Sequence, residues 1–393
     1  MVLKIDSCAI IAEYNPFHNG HLYQIAATKA ILGDVPIVCI LSGSFTQRGE
    51  PAFLDKWTRA KWALGRGCNL VLELPFVYSV QSANRFAAGA TSIIKGLNCV
   101  TRLSFGCETT DMNLLQKIAD YKETEEYSFR LNMSLKSGNS FARANEIALS
   151  KLNIKDDDIL KSPNAILAME YVSCLKNTNI NPIVIQRLGD YNDDKTLNAT
   201  ASASAIRKCV INKSDDYQNC VPIEVYEDLK AFNPVTLQDY FPIIQSKIFE
   251  LKEEGLKTIH EVNEGLENRI YESALTAKNM EELILGVKSK RYLYSRLQRI
   301  MLYILLDIKK DFINTLDKNN FPAYARVLAL DNEGAKILAK SSIPVISKAA
   351  DYKKLLNPIE EQIFEKDLLA TNMYSIFSSV RPNEDFLHLI IKK

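Results

Sequence analysis

Two histidines three positions apart, His18 and His21, flank Gly20 where a strand-like run ends and a helix-like run begins. In a first helical turn, residues three apart face the same side. Gly20 lets the backbone come close to a ligand. The free N–H groups of a helix start favour an anion. Together these features read as a phosphate-binding corner, in which two imidazoles hydrogen-bond α- and β-phosphate oxygens as charge shifts to a leaving pyrophosphate. A lone histidine would more simply be a surface residue. Two of the chain's four histidines around one glycine favour the phosphate reading. A second candidate is Ser202–Arg207, SASAIR. Ser204 would cap a helix, and the fork of Arg207 suits a β- or γ-phosphate. Alone, that run is an ordinary capped helix with a surface arginine; downstream of HNGH it gains weight.

The elements that must position these groups follow from periodicity. Ser7–Ala12, Pro36–Leu41, Asn69–Leu74, Cys99–Phe105 and Pro182–Gln186 are short apolar runs and read as strands. Gly20–Leu32, Asp55–Leu64 and Ser82–Ile94 carry helical spacing, and residues 111–180 are mainly helical, with Ser162 and Pro163 forming a helix start. Apolar strands separated by helices imply βαβ units and a parallel, Rossmann-like sheet, whose ligands sit at the carboxyl ends of the strands. The expected class is therefore α/β: an ATP-binding catalytic domain over residues 1–210, then a polar linker at Ile211–Pro222. A mainly α-helical region over 223–393, with a small α/β tail near 323–390, completes the chain.

Composition narrows the class. With 393 residues, 47% apolar and 24% charged, the chain is ordinary globular protein with room for two or three domains. A net charge of +1 neither demands nor excludes a nucleic-acid partner. The eight cysteines are scattered without a CxxC pair, which fits reduced, buried thiols in a cytoplasmic protein rather than a disulfide framework or a zinc site. No metal-ligand cluster is visible. The N-terminus has no signal-peptide pattern, and no run of about 18 apolar residues suggests a membrane span. No protein partner is implied.

Gly286–Arg299, GVKSKRYLYSRLQR, carries five basic and no acidic residues. On a helical wheel Lys288, Arg291, Arg296 and Arg299 fall within an arc of roughly 140°, with Tyr292 inside it. Phosphate contacts plus one stacking aromatic suit RNA. A charge run is more often a solvated helix face, and the missing counter-charge tilts this one towards RNA.

HNGH matches the HxGH signature of the nucleotidylyltransferase superfamily, and SASAIR resembles its second phosphate loop. EYNPFHNGHLYQI, SGSFTQRGEPAFLDKWTRAKWAL, NLVLELPF, SFGCE, SPNAILAMEY and KSKRYLYSRLQR resemble the tRNA(Met) cytidine acetate ligase family more closely, from about residue 8 to about residue 335. The resemblance implies ATP-dependent activation of acetate to acetyl-adenylate. Transfer to the wobble cytidine of elongator tRNA(Met) then gives N4-acetylcytidine, with ATP, Mg²⁺, acetate and the tRNA as partners. It also implies an ATP-binding stretch of Ile11, Ala12, Glu13, Tyr14, Asn15, Pro16, Phe17, His18, Asn19, Gly20, His21, Leu22, Tyr23 and Gln24. Further ATP contacts are Gly106, Asn164, Arg187 and Ser204. Catalysis would rest on His18, His21 and Arg207, with Lys56 as a candidate that neutralises substrate or transition state. Cys68-Asn69 and Cys107 depart from the family pattern without touching the phosphate motifs. A closing loop, Ser42–Glu50 or Ser202–Arg207, would shield the adenylate. Two other readings stay open: a transferase for a small phosphorylated metabolite, which would end near residue 210, and an RNA-binding protein with a relic nucleotide site.

Overall fold

Strand β1 (Ser7–Ala12) begins a sheet in which β1 is buried over its first four residues and the next two strands along their whole length, which is why they read as apolar runs. The computed structural model describes residues 6–152, 154, 160, 162–187 and 201–393. From β1 the chain runs through α1 (Asn19–Leu32), β2 (Ile37–Ser42), α2 (Lys56–Gly65), β3 (Leu70–Leu74), the single turn α3 (Phe76–Ser79), α4 (Ala83–Gly96) and β4 (Val100–Cys107). Helices α5 (Met112–Lys122), α6 (Glu125–Lys136), α7 (Phe141–Leu149) and α8 (Pro163–Leu175) lead to β5 (Asn181–Gln186) and α9 (Ala203–Ile211).

These boundaries follow local chemistry. Asp55 caps α2 by accepting the Thr58 N–H at 2.9 Å. Ser162 caps α8 with Pro163 in its first turn. Alternate strand residues face opposite sides: Ala9, Val38, Ile40 and Leu72 pack with Phe86 and Ile93 of α4 and Met169 of α8. Ile10, Ile37, Cys39 and Val71 pack with Ile25 of α1 and Trp57, Ala60 and Ala63 of α2.

The helical stretch expected after the linker is present as α10 (Ile223–Ala231), α11 (Phe241–Leu256), α12 (Leu266–Thr276), α13 (Met280–Val287), α14 (Tyr294–Leu305) and α15 (Lys310–Lys318). The tail then adds β6 (Ala325–Leu330), α16 (Asn332–Leu338), β7 (Val345–Ile346), α17 (Tyr352–Leu355), α18 (Pro358–Ser375), α19 (Glu384–Leu387) and β8 (Ile391–Lys392). It does not form a separate unit. The sheet order is β5-β4-β1-β2-β3-β6-β7, with β8 also on β6. Strand β6 runs antiparallel to β3, placing Glu73 opposite Arg326, while the other pairs are parallel. The expected division into 1–210 and 223–393 therefore cuts through one sheet. Without β6, β3 would be an open edge with unpaired backbone groups.

A buried ionic cluster fastens this joint. Lys56 Nζ lies 2.8 Å from both carboxylate oxygens of Glu73, 2.8 Å from Asp385 Oδ1 and 3.1 Å from Thr371 Oγ1. Arg326 reaches Asp385 at 3.7 Å. Burial alone would depress the Lys56 ammonium, but Asp385 and Glu73 outweigh it and hold its pKa above the ordinary value.

Candidate active site

His18 ends the loop after β1 and caps α1. Its Nδ1 accepts the Gly20 N–H at 3.0 Å, and its own N–H donates to His21 Nδ1 at 3.2 Å. The rings stack with centroids 3.7 Å apart and planes 27° apart. A Cβ at position 20 would lie 2.8 Å from His18 Cε1, so glycine is what permits the stack. Both Nδ1 atoms accept backbone protons, so each neutral ring carries its proton on Nε2 and can donate from there. Burial, then Arg187 and Arg207, pushes the His18 pKa down to about 3. Burial, His18 and Arg187 likewise hold His21 well below its ordinary value. The pair is thus a set of uncharged, preorganised donors, a kind of group able to meet charge that develops on a phosphate oxygen.

Arg207 closes the corner from α9. Its Nη1 donates to Asn15 O at 2.9 Å, its Nη2 to Ser204 Oγ at 3.3 Å, and Glu50 Oε2 lies 3.6 Å away. The helix cap is Ser202, which accepts the Ala205 N–H at 3.1 Å, and not Ser204 as expected. Ser204 lies inside the first turn and supports Arg207 instead.

The remaining residues of the 11–24 stretch divide by facing. Tyr14 and Phe17 are buried edge-to-face against each other at 4.7 Å, so only their backbone is open to a ligand. Asn15 Oδ1 accepts the Phe53 N–H at 2.8 Å, Asn19 donates to Asn219 O at 2.9 Å, and Gln24 to Ser104 O at 3.2 Å. Leu22 faces inward from α1 onto the apolar cluster that also holds Ile25, while Tyr23 is exposed.

A second group gathers at the ends of β4 and β5. Asn164 donates to Glu108 Oε1 at 2.8 Å, Arg187 Nε lies 3.8 Å from the same oxygen, and a Cβ at Gly106 would touch Arg187 at 3.4 Å. Glu108 Oε2 is buried without a hydrogen-bond partner. Sequence reasoning missed Glu108, although SFGCE contained it. It also missed Arg59, a fully buried guanidinium that donates to Leu54 O at 2.9 Å, Glu13 O at 2.8 Å, Ser42 O at 2.9 Å and Gly43 O. Arg59 ties the carboxyl ends of β1 and β2 together. Leu188–Asp190 of the IQRLGD run lie outside the described residues.

Three expectations need correction. Lys56 does not point at the phosphate corner, because its ammonium is consumed by Glu73, Asp385 and Thr371. The Ser42–Glu50 loop is no lid. Thr46 and Ala52 close it by backbone bonds to Glu50 and Ser44, and it is packed on α14, where a Cβ at Gly49 (φ +85°) would strike Arg299 N at 2.4 Å. The basic segment is no single helix either. Helix α13 ends at Val287, and Lys288 and Leu293 have extended backbone before α14 starts. Its missing counter-charges come from elsewhere in the chain: Glu264 pairs with Arg291, and Glu261 with Arg296 at 3.4 Å and Arg299 at 3.5 Å. Tyr292 and Arg299 are buried, and Tyr292 donates to Asn263 O at 3.2 Å. Lys288 stays exposed and Arg291 half-exposed.

A parallel sheet whose strand ends carry a stacked HxGH pair and a returning arginine defines a nucleotidyltransferase, and the chain matches the HIGH Nucleotidyl Transferase family model over residues 5–386. It is 40% identical to the tRNA(Met) cytidine acetate ligase of Thermoanaerobacter sp. (strain X514), over 98% of both chains, and 36% identical to that of Acetivibrio thermocellus, over 93% of both. Thermotoga maritima TmcAL, in a crystal structure with alpha-thio ATP bound, superposes with a TM-score of 0.91 at 30% identity, covering 98% of this chain and 99% of that one. The chain belongs to the tRNA(Met) cytidine acetate ligase family. The match extends through the helical and tail regions, where a minimal small-metabolite transferase would have ended.

Proposed function

We propose that this protein forms acetyl-adenylate from acetate and ATP and transfers the acetyl group to the wobble cytidine of elongator tRNA(Met). The observation that carries the reading is the neutral, stacked His18–His21 pair facing Arg207, in a chain of this family. An acetate oxygen attacks the α-phosphorus in line, and pyrophosphate leaves. The two Nε2–H groups and the Arg207 guanidinium meet the charge that develops on the phosphate oxygens. The Glu108–Asn164–Arg187 group, with the open backbone at Gly106, holds the adenosine side.

Among the described residues no group of three or more His, Cys, Asp or Glu side chains is placed to hold a metal ion. Mg²⁺ enters this reading with the substrate as MgATP, held through phosphate oxygens and water. Lys288 and the exposed part of Arg291 remain as tRNA contacts; Tyr292, Arg296 and Arg299 serve the fold around Glu261. Among the described residues no helix is long and apolar enough to cross a membrane, and a tRNA substrate places the reaction in the cytoplasm.

Protein incubated with ATP, Mg²⁺, radiolabelled acetate and total tRNA should leave label in acetylcytidine after nucleoside digestion. Pyrophosphate release without labelled nucleoside would redirect the search to another acceptor. Replacing Glu108 by alanine should raise KM for ATP about 10- to 100-fold with a smaller change in kcat, because one charge-assisted contact is worth about 1.5–3 kcal/mol. Steady-state kinetics at varied ATP would check this, and an unchanged KM would exclude Glu108 from the nucleotide site.

A further inference from the structure

We infer that Glu13 is the base that takes the proton from the attacking cytidine amine in the acetyl-transfer step. The inference rests on the proposed acetyl-adenylate pathway. As the N4 lone pair adds to the acetyl carbon, the N4–C bond forms. The bond from that carbon to the adenylate oxygen then breaks, and AMP leaves with the electron pair. One N4 proton must go to an acceptor.

The histidines cannot be that acceptor. Each Nδ1 already accepts a backbone N–H, and each Nε2 carries the remaining proton. Two other carboxylates near the corner serve other contacts. Glu50 accepts from Gln298 at 3.1 Å and lies against Arg207, and Glu108 accepts from Asn164 at the adenosine end. Glu13 stands at the carboxyl end of β1, two residues before the Asn15 carbonyl that Arg207 grips. Its Oε1 accepts the Gln47 N–H at 2.6 Å, which orients the carboxylate at the strand ends. Arg59 holds its backbone carbonyl at 2.8 Å, so the main chain that bears the carboxylate is fixed beside the strand ends.

The charged and titratable groups facing it are Arg207 from α9, Arg48 from the Ser42–Glu50 loop, Arg59 from α2 and Tyr171 from α8. Burial raises its pKa above the usual carboxylate value, while the Gln47 N–H and then Arg207, Arg48 and Arg59 oppose the rise. A carboxylate of raised pKa is a stronger base than a solvated one. It works only when ionised, so transfer is lost as pH falls through that raised pKa.

The test starts from synthetic acetyl-adenylate and tRNA(Met) in a single turnover, which bypasses ATP. Glu13→Gln keeps an oxygen for Gln47 but cannot take the proton. Transfer should slow about 10²–10⁴-fold, and the acid limb of the wild-type pH–rate profile should vanish. Transfer at the wild-type rate by the variant would overturn the inference and leave the proton to the departing phosphate. If the variant does not fold, a wild-type transfer rate independent of pH from acidic to neutral solution would overturn it as well. Failure of wild-type protein to use acetyl-adenylate at all would bring down the adenylate pathway, and this role with it, which is a different result from a fully active variant.

Discussion

Replacing His21 by alanine should lower acetate-dependent pyrophosphate release by about 10²–10³-fold, the usual cost of one preorganised transition-state donor. The substitution removes the Nε2–H donor, and it also leaves the His18 N–H without its acceptor and His18 without its stacking partner. His18→Ala should cost a similar factor, and the double variant much less than the product of the two, because the rings act as a unit. A wild-type rate in either single variant would remove the imidazoles from the chemistry. The pH dependence carries a second signature. With its pKa down at about 3, His18 stays neutral through the range in which a free histidine titrates, so it should produce no break there. The sign for stability is equally defined. The unfolded chain binds a proton below about 6.5 that the folded site refuses until about 3. Stability from this group therefore falls as pH drops through that window.

The largest effect on stability is expected at Lys56. Lys56→Ala leaves Glu73 and Asp385 buried beside each other without their ammonium, and breaking a buried pair from one side costs about 3–5 kcal/mol. Because Lys56 and Glu73 lie on α2 and β3 while Asp385 and Thr371 come from the tail, the loss should loosen the docking of the tail on the sheet. Urea unfolding monitored by tryptophan fluorescence would measure it. An unchanged midpoint with a large loss of kcat would instead restore Lys56 to the reaction. This cluster shows why residue type and spacing misplaced it. A lysine opening a helix beside a substrate loop has the same local sequence whether it faces solvent, ligand or a carboxylate hundreds of residues downstream.

The local half of this protein can be read from its residues in order. Strands β1 to β3 are legible because the middle of a parallel sheet is covered on both faces, so their side chains are mostly apolar; β4 and β5, nearer the edge, are more mixed but still carry short apolar runs. The HNGH corner is legible because the stacked pair needs both histidines and a residue without Cβ within four positions. Where remote partners meet depends on the folded chain as a whole. It set β6 against β3, brought Asp385 to Lys56, and supplied Glu261 and Glu264 to arginines that had no counter-charge in their own segment. It also showed that the basic stretch breaks between α13 and α14, which scatters an arc drawn for one continuous helix. The reason is physical. Capping, helix and strand periodicity act over a few residues, whereas pairing of charges and sheet edges depends on which surfaces the whole fold removes from water.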